Sequence, residues 1–143
     1  IESGLLSFGS DMDYRHTPLQ CGLDKYCHLD RDLSSMSLEA LRQQKAEGVP
    51  SRLIGLAAPQ MHQLPADMKV RLEGSIVGEI TSHTLSAKYH AWLGFAMLNS
   101  AAIRAALEEN RRLTVKSGNV EYQVICCELP YDFAKLNLAK RNT

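Results

Sequence analysis

Short apolar-rich segments punctuated by Gly and Ser recur between residues 52 and 129, some alternating with a period of two and others continuous apolar runs. They read as neighbouring strands of an antiparallel sheet. Val70 and Leu72 alternate with Arg71 and Glu73, and Gly74-Ser75 then allows a tight turn. Ile76 to Thr81 predicts a second strand, and the apolar run Ala91 to Leu98 a third. The polar stretch between them, including Ser82, His83 and Thr84, reads as turn and packing residues of a lid over a pocket. Upstream, Leu53, Ile54 and Leu56 mark a short strand, followed by a loop bracketed by Pro59 and Pro65. Downstream, Leu113 to Lys116 and Val120 to Leu129 form a hairpin around Ser117-Gly118-Asn119, because Gly and Asn tolerate the positive φ of such turns. About five or six strands are expected, and a sandwich or a partly closed barrel removes their exposed edges.

Two segments break this rhythm. Ser35 or Ser37 can cap a helix from about Leu38 to Glu47, with Leu38 and Leu41 on its buried side and Arg42 and Lys45 solvated. Gly48 suits a positive φ after its end, and Pro50 stops it. Asn99 or Ser100 can cap a second helix, in which Ile103, Ala106 and Leu107 fall at helical spacing. Leu23 to Leu29 alternates enough to predict a strand. Ile1 to Phe8 suits either a helix tail or a short strand, and residues 136–143 a frayed tail. The first fifty residues fall outside the strand-rich pattern. The expected division is therefore 1–50, 51–135 and a tail over 136–143.

Charge narrows the range of partners. Lys plus Arg and Asp plus Glu both number 16, so there is no basic footprint for nucleic acid or an anionic membrane. No apolar run reaches the roughly 20 residues of a membrane span. Cys21, Cys27, Cys126 and Cys127 fit no disulfide scaffold, which suggests reduced thiols in a cytoplasm-like compartment. The chain starts on Ile rather than Met, as a processed product or part of a longer chain would.

No complete catalytic constellation stands out. Gly55-Leu56-Ala57-Ala58-Pro59-Gln60 resembles the first motif of peptide deformylases, but Ser75 cannot supply their thiolate ligand and the chain has no HExxH. Cys126 and Cys127 would point to opposite faces of a strand and cannot readily share a metal ion. Cys21 and Cys27 with His16 and His28 lack a CxxC knuckle and suit packing better. Asp11, Asp13, Asp24, Asp30 and Asp32 are dense locally, at spacings that suit turns and solvated loops. Adjacent Ser82 and His83 would point apart on a strand, so they do not make a nucleophile–base pair.

Several segments, taken in order, resemble the C-terminal part of the glycine cleavage T-protein (aminomethyltransferase) family. Glu2 to Asp11, ESGLLSFGSD, is similar to its ExGLxxxGxD stretch, and Thr17-Pro18-Leu19-Gln20-Cys21-Gly22-Leu23 to its TPxExxL segment. Leu41 to Leu56 resembles its helix, glycine and LxGL strand. Val77 to Ser82 with Ser86 resembles its VGxVTSxxxS signature, and Cys127 to Tyr131 its closing xxLPF. The wording of IESGLLSFGSDM and PLQCGLDKY is closer to the dimethylsulfoniopropionate demethylase-like branch. Gln20 stands where the pattern usually has Glu, Ala87 where it has Pro, and Lys25 or Tyr26 near a common Trp. Leu53 stands where some members carry a folate-facing Arg, with Arg52 adjacent. Residues 99–110 form a helix-like insert.

The resemblance implies an α+β chain: the end of a folate-binding region over 1–50, followed by an antiparallel β-barrel of about six strands. It implies folate-dependent one-carbon transfer, with tetrahydrofolate accepting the unit from a small methylated amine, thioether or ether. The family's main acidic folate contacts precede this stretch, so this chain alone is expected not to catalyse. Its partner would be an upstream folate-binding region or subunit. Lys25, Tyr26 and Arg52 are the residues expected on the folate side of the barrel. The alternative is a non-catalytic barrel or docking module of a sarcosine or dimethylglycine dehydrogenase-type assembly, whose C-terminal halves share the architecture.

Overall fold

The computed structural model describes residues 1–32, 34–136 and 138. Six antiparallel strands close into a barrel: β1 (Ser51–Ala58), β2 (Lys69–Leu72), β3 (Ser75–Ser86), β4 (Ala91–Asn99), β5 (Leu113–Ser117) and β6 (Val120–Cys127). Their order around the ring is β1-β4-β3-β2-β5-β6, and β6 pairs back onto β1 through Leu56↔Cys126. Full closure leaves none of the six at an open sheet edge. Two helices accompany the barrel, α1 (Met36–Glu47) and α2 (Ser100–Leu107).

Strand alternation sorts the apolar side chains into two clusters. Ile54, Leu56, Val70, Trp92, Ala96, Leu98, Val115 and Val124 come from all of β1, β2, β4, β5 and β6 and, with Ile80 of β3, fill the barrel interior. Leu53, Ala57, Leu93 and Phe95 point the other way from β1 and β4. They are covered outside the barrel by Ile1 and Leu6 from the N-terminal segment, and by Tyr131, Leu136 and Leu138 from the segment after β6. The expected frayed tail therefore begins with two buried leucines, because the outer face of β1 and β4 is apolar and needs a cover. Residues 137 and 139–143 lie outside the described residues.

β3 is longer than the alternation predicts. Ser82, His83 and Thr84 pair with Phe95, Gly94 and Leu93 of β4, so they are strand residues and not a lid. A bulge at Thr81, between the pairs Ile80↔Ala96 and Ser82↔Phe95, breaks the period of two and hides the continuation. The β2–β3 turn is formed by Glu73 and Gly74, both at positive φ, with Ser75 already paired to Leu72. The β5–β6 hairpin turns at Gly118-Asn119, with Gly118 at φ 58°.

Both helices start where a side-chain oxygen is available. Ser35 Oγ accepts from the Leu38 N–H at 3.2 Å, and Asn99 Oδ1 from the Ala102 N–H at 2.7 Å. α2 buries Ala102, Ile103 and Ala105, while Leu107 is exposed. α1 buries none of its residues; Leu38 and Leu41 are only half covered. Arg42 is not solvated as expected: its Nε donates to the Leu29 carbonyl at 2.9 Å and its Nη2 to that of Arg31. The segment predicted as a strand over 23–29 is instead a 3₁₀ turn at Asp24–Tyr26 followed by further turns. Its amides are taken locally, Tyr26 N–H by the Leu23 carbonyl and Cys27 N–H by that of Asp24, both at 3.0 Å. Ile1 to Phe8 is neither helix nor strand beyond a single bridge between Phe8 and Met12.

Candidate functional site

Residues distant in sequence meet at one end of β1. The turn through Pro18 to Gly22 is held to β1 by the Leu53 N–H donating to the Gln20 carbonyl at 2.7 Å. The Gln20 side chain strengthens the join: Oε1 accepts from the Thr17 N–H at 3.0 Å, and Nε2 donates to Ser51 Oγ at 3.0 Å. The Gln20 amide presents both an acceptor and a donor to these partners, which suits it to the role of a buried tie. On the far side, Gly4 at φ 71° lies so close to Pro130 that a Cβ would come within 2.9 Å of the proline ring. These contacts frame a cleft of about 390 Å³ between the N-terminal segment, the start of β1 and residues 128–130 after β6.

Lys25, Tyr26 and Arg52 all line this cleft. Lys25 Nζ sits 5.0 Å from the centre of the Tyr26 ring, a cation–π contact at an exposed site. Tyr26 is 66% exposed, which leaves its ring open for stacking. Arg52 Nη2 pairs with Glu128 Oε2 at 2.7 Å. Two cations beside an open aromatic ring suit a planar, anionic ligand, and the volume lies in the usual range for small-molecule sites, about 300–1,000 Å³. Cys21 also lines the cleft; burial, followed by the nearby Asp13 carboxylate, pushes its thiol up, so it stays protonated and is a poor nucleophile. Glu128 carries no motif that singles it out in sequence; only closure of β6 onto β1 brings it to Arg52.

Of the other candidates, the structure brings Asp13 and His16 together, Oδ1 to Nδ1 at 3.1 Å. Asp11 is 1% exposed and accepts from the Ser7 N–H at 2.9 Å and the Thr81 hydroxyl at 2.7 Å. It anchors the N-terminal segment to the β3 bulge. Asp13 is held well down, to about 2, chiefly by the hydrogen bonds from Arg15. His83 pairs with the inward-facing Gly94, and its ring stacks 6.1 Å from that of Trp92; burial lowers its pKa. Ser82 lies on the opposite face of β3, so the two side chains diverge. Cys126 packs into the barrel interior and Cys127 into the outer cluster, and burial first of all pushes both thiols up to about 12. Among the described residues, no group of three or more His, Cys, Asp and Glu could hold a metal ion. No helix of the described residues is long and apolar enough to cross a membrane.

No protein-family model matches the chain. Relatives are nonetheless clear. An aminomethyltransferase of Rippkaea orientalis is 39% identical over 85 residues, 59% of this chain and 23% of that protein. An aminomethyltransferase of Clostridium botulinum is 27% identical over 116 residues, 81% of this chain and 31% of that protein. The chain thus spans between about a quarter and a third of the curated relatives it matches. In fold it is similar to the glycine cleavage system aminomethyltransferase T of Bartonella henselae, with a TM-score of 0.69 at 17% identity, over 90% of this chain and 36% of that one. In sequence the chain thus resembles aminomethyltransferases, and in fold a glycine cleavage T-protein, of whose longer chains it matches only a part.

Proposed function

We propose that this chain supplies the barrel side of a tetrahydrofolate-dependent one-carbon transferase of aminomethyltransferase or demethylase type. The observation that carries the proposal is the meeting of Lys25, Tyr26 and Arg52 in one cleft at the junction of the N-terminal segment and the barrel. Tetrahydrofolate, when bound, accepts the one-carbon unit from a small methylated amine, thioether or ether. The chain's own residues bind and orient. Arg52 and Lys25 attract the ligand's anionic groups, and the Tyr26 ring offers a stacking face. Residues 1–50 would be the end of a folate-binding region, and the rest of the site would come from an upstream region or a partner subunit. The donor class follows the relatives' name only as far as a small amine; the demethylase reading rests on the wording of residues 1–12 and 18–26.

The test is equilibrium binding of a reduced folate to this chain alone, then with an aminomethyltransferase-type folate-binding region supplied in trans. Weak or absent binding alone, restored in the mixture and weakened again by Arg52→Gln, is the expected result. If the mixture restores neither binding nor turnover, the proposal fails.

A further inference from the structure

The cleft contains its own counter-ion. Among the residues lining it, Lys25 and Arg52 are cationic and Asp24 and Glu128 are anionic. Lys25 makes no ion pair with the described residues, whereas the Arg52 guanidinium donates to Glu128 at 2.7 Å, with side chains 35% and 56% exposed. Arg52 also lines a second cavity of about 240 Å³ beside α1, so the residue is shared by both. A guanidinium is the side chain best shaped to grip a carboxylate, and here a carboxylate of the same chain already holds it.

We propose that Glu128 is a built-in competitor: it occupies Arg52 and must be displaced before a carboxylate-bearing ligand can use that guanidinium. The proposal rests on reading the cleft as the ligand site and adds the residue that sets its selectivity. The exchange is feasible because both side chains reach solvent. An exposed ion pair changes an equilibrium constant by no more than about fivefold, so an incoming carboxylate replaces it at small cost. A displaced Glu128 keeps its charge near the cleft. A ligand without a carboxylate therefore gains nothing from Arg52, and one with a carboxylate gains only if it grips better than Glu128 does.

The experiment compares wild type, Glu128→Gln, Arg52→Gln and the double variant of this chain by NMR, each with an aminomethyltransferase-type folate-binding region supplied in trans. One readout is the motion of the Arg52 side-chain Nε–H without ligand. The other is titration with p-aminobenzoyl-glutamate, which has carboxylates and no pterin, and separately with 5-formyltetrahydrofolate. Thermal melts check that each variant is folded. The expected result is a more mobile Arg52 in Glu128→Gln, with p-aminobenzoyl-glutamate bound about two- to fivefold more tightly and the gain absent from the double variant. An Arg52 equally ordered in Glu128→Gln, or a gain that survives in the double variant, would overturn the proposal. If the reduced folate binds at the cleft with equal affinity in wild type and Glu128→Gln, the folate reading stands and the competitor falls. If Glu128→Gln improves p-aminobenzoyl-glutamate while the reduced folate binds no better than that fragment, the competitor stands and the folate reading falls. Failure of all four proteins to bind either compound would overturn both.

Discussion

Gly78 is the position at which one methyl group tests the barrel most directly. It lies in the interior of β3, between Val70 of β2 and Leu98 of β4. A Cβ built there would lie 2.2 Å from the Met97 carbonyl oxygen, 2.5 Å from Leu98 Cδ2 and 2.9 Å from Leu98 Cα. Two of these three atoms are backbone, and Leu98 is fully buried, so no flexible side-chain end can move aside. Relief requires β3 and β4 to part, with loss of ladder hydrogen bonds worth about 1 kcal/mol each. Overpacking of this kind costs about 1–3 kcal/mol and sometimes more. Against it stands the reduced freedom of alanine in the unfolded chain, about 0.4–1 kcal/mol. The clash wins, and Gly78→Ala should destabilise the protein by about 1–2 kcal/mol, lowering the melting temperature by about 2–8 °C.

The chain has a single tryptophan, and Trp92 is fully buried in the barrel interior, so its fluorescence reports barrel opening during urea titration. The midpoint should fall with little change in slope, since the unfolded surface is unaltered. Far-UV circular dichroism provides a second probe that does not depend on the tryptophan's surroundings. A variant within about 0.5 kcal/mol of wild type, or more stable, would refute the close approach of β3 to β4 on which the reasoning depends.

Three further outcomes follow from single contacts. Asp11→Ala leaves the Ser7 N–H without its acceptor and the Thr81 hydroxyl with only the Phe95 carbonyl at 3.4 Å, and should cost about 1–3 kcal/mol; hydrogen exchange at Ser7 should speed up, and unchanged protection there would contradict the anchoring role. Asn99→Ala removes the cap of α2 and should cost about 1 kcal/mol in urea unfolding, with Asn99→Asp close to neutral. Cys126 and Cys127 titrate near 12 when folded against 9.0 for a free thiol, so the folded state holds their protons longer. Their contribution to stability is therefore intact below pH 9 and lost as pH rises toward 12; Cys126→Ala/Cys127→Ala should flatten that part of the pH–stability curve, and the thiols should resist alkylation at pH 8.

Elements with a clear apolar pattern and a local stop signal were the legible ones. β1 and β4 are short apolar runs, the β5–β6 hairpin alternates and α2 has helical spacing, and each is bounded by a turn, proline or capping residue. The errors share a different cause. The bulge at Thr81 shifts the inward face by one residue, so Ser82 to Ser86 loses its pattern although its backbone remains paired. Over residues 23–29, Lys25 and Cys27 imitate one face of a strand, but no neighbouring strand exists there and local turns take the amides. Leu38 and Leu41 have the spacing of a buried helix face, yet α1 has no buried residue, because apolar spacing does not say what will cover it.

The residues of the candidate cleft were reached in the sequence through resemblance alone. Lys25, Tyr26 and Arg52 carry no local signal of a shared cleft, and their meeting depends on Gln20 tying the preceding turn to β1. Glu128 was beyond reach for a topological reason. It is 76 positions from Arg52, and the contact exists because β6, last in sequence, pairs with β1, the first strand. A composition reading treats Glu128 as one of sixteen acidic residues balancing sixteen basic ones. In the folded chain that balance becomes specific, with a particular carboxylate on a particular guanidinium inside a cleft. The even overall charge, which leaves no basic footprint for nucleic acid, is thus compatible with a cleft whose cation Arg52 carries its own counter-ion.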